Sequence, residues 1–171
     1  MPVLPDFFPH GCAARAGLAC LLLAGSSCGP AQAAPPSTFG TVVGNAVLCL
    51  NNLDNKYFYS YLAAAFGVPY KHDGGAFWFK TTGATLWGAP ILEVIVSDDT
   101  SALAFIGAIA DTTPENLEPM VTASVGLHYT KKDASAFPVR AALAGSKIIY
   151  FNTRSKVYCA EYKPLPPPDA R

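Results

Sequence analysis

Cys49 and Cys159 are the two cysteines left when the first 33 residues are read as a secretory leader, and as a pair they tie together the ends of whatever fold follows. Arg15 precedes an apolar run from Ala16 to Gly25 that is too short to span a bilayer. Ala31-Gln32-Ala33 then offers a small-x-small cleavage site before Ala34. Removing that segment takes Cys12, Cys20 and Cys28 with it. An exported chain with one remaining pair is expected to close one disulfide. The loop enclosed is about 110 residues, for which chain-entropy arguments give up to about 4–5 kcal/mol. The stretch from Leu21 to Cys28 resembles a lipobox, but Gly25 stands three residues before the cysteine, where a large aliphatic residue belongs. Cys20 fails in the same way, with Gly17 at that place. Export as a periplasmic or secreted protein is therefore expected ahead of a lipid anchor.

Residues 34–163 have the size of a single compact domain, and residues 164–171 form a Pro-rich tail. The whole chain carries 12 Lys+Arg and 12 Asp+Glu, and the leader holds one of each, Arg15 and Asp6. The remaining charge is thus balanced, with no basic stripe for nucleic acid and no polybasic patch for anionic lipid. No later run approaches the roughly 20 apolar residues of a membrane span. In the tail, Pro164, Pro166, Pro167 and Pro168 favour extended polyproline conformation and stop the preceding strand.

Thr41 to Leu50, rich in β-branched residues, reads as the first strand, with Gly44 a bulge or bend. The next element is a helix. Asp54 supplies its N-cap; Phe58, Tyr61, Leu62, Ala65 and Phe66 recur on one face; Gly67 and Pro69 end it. Ala76 to Lys80 forms a strand, and Thr82-Gly83 turns the chain into a short Ala84 to Trp87 segment. Ile91 to Ser97 and Ala102 to Ala110 flank the polar turn Asp98 to Ser101, and their apolar content on both faces places this hairpin at the centre of a sheet. Thr113, Pro114 and Glu115 open a second helix, which Pro119 should keep short. Val121 to Thr130 reads as strand and Pro138 to Gly145 as a turn of helix or a loop. Lys147 to Phe151 and Lys156 to Tyr162 make a last hairpin carrying Cys159. The expected architecture is α+β: an antiparallel sheet with one main helix packed on a face and a short second helix.

Reactive constellations are few. Cys49 before a helix and His128 later in the chain have the order of a thiol hydrolase, nucleophile then base. The residues around Cys49 match no active-site signature, and Cys159 would be left without a role; the disulfide is the simpler reading. His72 reads as a loop residue and His128 as a strand residue, and two histidines without patterned ligands give no metal site. Asn51 to Asn55 lacks the glycine and distal glutamate of a calcium loop. Glu93 interrupts an apolar strand and faces either water or a pocket. Gly107, alone in such a strand, marks a bulge or a close approach of backbone. No cofactor is expected.

Aromatic residues carry the remaining signal. Phe77 and Phe79 share one face of their strand, leaving Trp78 on the other with Ala76 and Lys80. Tyr57, Tyr59, Trp78 and Lys80 are the candidate binding patch, since amphipathic aromatics suit interfaces. The chain thus reads as a small exported, disulfide-closed binding or accessory protein without catalytic activity. Its expected partner is another protein or an envelope component, with a Cys49–His128 hydrolase as the alternative.

Overall fold

A computed structural model of the chain describes residues 34–163, so the expected leader and the Pro-rich tail lie outside the described residues. Its strands are β1 (Lys71–Asp73), β2 (Ala76–Lys80), β3 (Thr85–Leu86), β4 (Ala89–Ser97) and β5 (Leu103–Ala110), followed by β6 (Tyr129–Lys131), β7 (Arg140–Ala142), β8 (Lys147–Phe151) and β9 (Arg154–Tyr162). They make one nine-stranded sheet in the order β1-β2-β4-β5-β9-β8-β7-β6, with β3 paired to β4 off that path. Every pairing is antiparallel. The β4–β5 hairpin lies well inside the sheet, as its two-sided apolar content requires. The class is mixed α+β.

The segment expected as a first strand is helical instead. A π-helical turn, Gly40–Gly44, runs into α-helical Asn45–Val47, and the two are labelled α1 together. Val43, Gly44, Ala46, Val47 and Leu48 are all buried. A short apolar run buried on most sides carries no periodicity that separates strand from helix, and packing decides. Gly44 is part of that decision: a Cβ there would sit 3.3 Å from Leu86 Cδ2, so its absence lets α1 lie against β3. Cys49 ends the segment with φ 58°, the left-handed conformation that stops a helix.

Helix α2 (Asn55–Phe66) forms where the capping signals place it. Asp54 Oδ1 accepts from the Tyr57 amide at 3.0 Å, Gly67 follows with φ 84°, and Phe58 and Leu62 are buried. Helix α3 (Pro114–Val125) is longer than expected, 12 residues like α2, and Pro119 lies inside it. Pro119 is on the exposed side of the helix, while Leu117 and Val121 anchor the opposite side in the core. The strand expected from Val121 therefore shrinks to β6. Residues 138–145 supply β7 and a turn.

All three helices pack on the same face of the sheet: α2 against β2, β4 and β5, α1 against β5 and β9, and α3 against β8 and β9. Between them lies the main core, with Phe79, Val94, Val96, Ile106, Ala108 and Val157 from the sheet. Cys49 and Cys159 are bonded, joining the end of α1 to the core side of β9. Arg140, 1% exposed, is held by Glu115 and by Glu118 at 3.0 Å, which fixes α3 over β7.

Candidate functional site

The other face of the sheet carries no helix among the described residues. The register shows what it presents: Trp78 pairs with Ile95, Ile95 with Gly107, Gly107 with Tyr158 and Tyr158 with Lys147, a row running straight across five strands. Phe105, Ile149 and Phe151 flank that row by the same alternation. A second apolar cluster forms here, in which Ala76, Ile95 and Ile109 are covered only by sheet side chains such as Trp78, Phe105 and Phe151.

A hollow of about 360 Å³ opens on this face, with Trp78, Phe105, Gly107, Lys156 and Tyr158 among its walls. Gly107 makes no bulge. Its register is regular, and a Cβ there would meet Tyr158 Cβ at 3.2 Å and Lys156 Cδ at 3.8 Å. The glycine therefore forms the floor on which those two side chains lie. Lys156 is half-buried, and its ammonium lies 5.7 Å from the Phe151 ring and 5.6 Å from that of Tyr158. Burial holds its pKa below the ordinary lysine value, and no carboxylate among the described residues offsets this. Trp78 adds an indole N–H that is buried and has no acceptor among the described residues.

Glu93 reaches the rim of this face through a bulge. The register shifts between Ile91 and Glu93, so Ile91 turns to the helix-side core while Glu93 faces outward opposite Lys80. Tyr70 joins them: its ring lies 5.0 Å from Lys80 Nζ. Its hydroxyl is pushed up to about 12 by burial and by the Glu93 carboxylate.

The four residues of the sequence-derived patch do not form one surface. Trp78 and Lys80 share the open face, whereas Tyr59 packs beneath α2 with its ring 4.7 Å from that of Phe77 and 5.6 Å from that of Phe79. Tyr57 is exposed in the helical layer, on the other side of the sheet. Lys156, Tyr158 and Gly107 complete the open face. Gly107 stands out in the sequence as a bulge or a point of close approach, but the Lys156 and Tyr158 that approach it do not, because the pairing of β9 with β5 joins segments about 50 residues apart.

A larger cavity of about 520 Å³ lies at the N-terminal end of α2, bordered by Tyr59, His72, Phe77 and Asp98. His72 stacks on Phe77 at 4.2 Å and its Nε2 lies 2.6 Å from Asp98 Oδ2. The other carboxylate oxygen accepts from the Thr100 amide and hydroxyl and from the Ser101 amide. Asp98 is consequently held well below the usual carboxylate range, by the Thr100 hydroxyl first and His72 second. The pair fastens β1 to the β4–β5 turn, and among the described residues no hydroxyl hydrogen-bonds to His72. The Cys49 sulfur, which a thiol hydrolase needs free, is bonded to Cys159. His128 is exposed just before β6. No group of three or more His, Cys, Asp or Glu among the described residues could hold a metal ion. No helix among them is long and apolar enough to cross a membrane.

Comparison with protein-family models, with curated proteins and with solved structures finds no match to this chain.

Proposed function

We propose that this is an exported protein, closed by the Cys49–Cys159 bridge, that acts without catalysis as a binding or accessory protein through the open face of its sheet. One observation carries the reading. Among the described residues the helices are all spent on one face, while the other presents an apolar row with a floor of glycine and a half-buried cation that no described carboxylate neutralises. A face built only for solvent would alternate polar residues outward. Here Trp78, Ile95, Phe105, Ile149 and Tyr158 occupy those outward positions. Rings with one polar end are the residues that recognition surfaces use. The partner is a protein or an envelope component met after export. Fold-level analogy plays no part in this reading.

The test is site-specific photo-crosslinking in the exporting cell, with a benzophenone side chain placed at Tyr158 on the open face or at Tyr57 on the helical layer. A discrete adduct from position 158 that is absent from position 57 supports the reading. Adducts from position 57 alone would move the binding surface to the helices.

A further inference from the structure

The open face carries five cations by register: Lys71, Lys80, Lys147, Arg154 and Lys156. Three of them have an acid at hand. Lys71 pairs with Asp73 at 3.1 Å, Arg154 with Asp111 at 2.9 Å, and Lys80 lies opposite Glu93 across the β2–β4 ladder. Lys147 is exposed, and water suffices for it. Lys156 is different. It is drawn into the hollow above Gly107, where two aromatic rings replace part of its hydration; Asp73, on the wall of the same hollow, is taken by Lys71, and no carboxylate among the described residues pairs with Lys156. A ring quadrupole attracts a cation but does not neutralise it. A charge held half out of water gains more from an arriving counter-ion than a fully hydrated one does, because the local dielectric is lower and its desolvation has already occurred.

We infer that the open face takes an extended acidic peptide segment of a partner protein, one carboxylate of which pairs with Lys156 while neighbouring apolar side chains settle along the Trp78–Tyr158 row. This inference rests on the reading of the open face as the binding surface and names the chemistry of its occupant. A single recessed ammonium between rings suits a single carboxylate. It offers no fork of guanidinium groups of the kind that grips a phosphate in bidentate fashion. The spacing also fits. Lys156 on β9 and Trp78 on β2 are three inter-strand steps apart and offset by two residues along the strands, about 16 Å in all, which about five residues of an extended chain span. An acidic side chain at one end of such a segment and an aromatic or aliphatic one at the other would engage both ends of the row. The excess of cations on this face would draw that segment in at a rate that falls with ionic strength.

The experiment uses the exported protein with its bridge intact and two probes, fluoresceinyl-Gly-Glu-Ser-Tyr-Ser-Tyr-amide and its counterpart with Gln for Glu, in which the acidic and aromatic side chains share one face of an extended chain, followed by fluorescence anisotropy at low salt. The Glu probe should bind at least about tenfold tighter than the Gln probe, the worth of one charge-assisted pair. Lys156→Gln should shrink that ratio below about threefold, and Lys156→Arg should preserve it. The Arg variant guards against a Gln variant that merely misfolds. Equal binding of the two probes overturns the acidic occupant. It leaves the open-face reading standing provided Tyr158→Ala weakens both. Binding of neither probe, together with no adduct from position 158 in the cell, overturns both readings. Binding that appears only after deletion of residues 164–171 would mean that the chain's own tail is the occupant, and it too overturns the proposal.

Discussion

Two buried polar residues hold this fold at points where the sequence offers no motif. Ser146 Oγ donates to the Val47 carbonyl at 2.9 Å and lies 3.1 Å from the Tyr129 hydroxyl, so one small side chain ties the end of α1 to β6. Ser146→Ala would leave a carbonyl and a phenol buried without partners, at a cost of about 1–3 kcal/mol in urea unfolding. A variant as stable as the parent would mean that water reaches both groups. Arg140 is the second. It is clamped by Glu115 and Glu118, and Glu115 also accepts from the Tyr150 hydroxyl. That hydroxyl first, and the Arg140 guanidinium with it, lower the Glu115 pKa from 4.5 to about 2. A depressed carboxyl contributes stability that is fully present above its unfolded value and is lost as pH falls through its folded one. Acid unfolding should therefore steepen between about pH 4.5 and about pH 2, and Glu115→Gln should flatten that stretch of the profile. An unchanged slope in the Gln variant would show that the clamp does not form in solution. Neither Ser146 nor Arg140 could be read from the sequence as a core residue, because the side chains and carbonyl that admit each to the interior come from other elements, 17 to 99 positions away.

Local signals were legible in the sequence where they act within one element, and misleading where packing overrides them. Helix α2 announced itself because its cap, its apolar stripe and its terminal glycine all lie within a dozen neighbouring residues and agree. The α1 segment reads as a strand because its β-branched residues suit a pleated surface, whereas in the fold Val43, Ala46, Val47 and Leu48 are packed into the core as a helix, with Gly44 close against Leu86. Helix α3 reads as short because an interior proline usually breaks a helix, whereas this one lies on the exposed side while Leu117 and Val121 hold the helix to the core. The same helix ends at Gly126 with φ 71° and nothing within 4 Å of a would-be Cβ. Gly126→Ala should accordingly cost about 1 kcal/mol through backbone conformation alone; a neutral substitution would mean that the helix end relaxes. The bridge between α1 and β9 makes a sharper statement. Cys49→Ser, Cys159→Ser and the double variant should lose the same stability, up to about 4–5 kcal/mol, since one bond is lost in each case. Losses that add would mean two independent thiols.

At the scale of the whole molecule the two faces of the sheet are unequal, and the strand Ala76–Lys80 samples both. Its alternation was legible from sequence: Phe79 points into the helix-side core and is 1% exposed, while Trp78 turns to the open face and is only half-buried. What the sequence could not supply was the rest of that face, because Ile95, Gly107, Tyr158 and Lys156 reach it through pairings fixed only when the sheet assembles. The asymmetry has a measurable consequence. Phe79 lies under α2 against Tyr59, where collapse around a truncated ring is blocked on one side by the helix and on the other by β4. Phe79→Ala should cost about 3–5 kcal/mol as a large-to-small core substitution. Trp78 has no helix above it among the described residues, so the space left by Trp78→Ala opens to water and not to a sealed void. Its loss should destabilise by less than half as much while abolishing the adduct expected from position 158. Urea midpoints of the two variants, measured with the bridge intact, decide the matter. If Trp78→Ala unfolds as early as Phe79→Ala, the second face is as closed as the first. The row from Trp78 to Tyr158 is then core, and the binding surface must be sought on the helical layer.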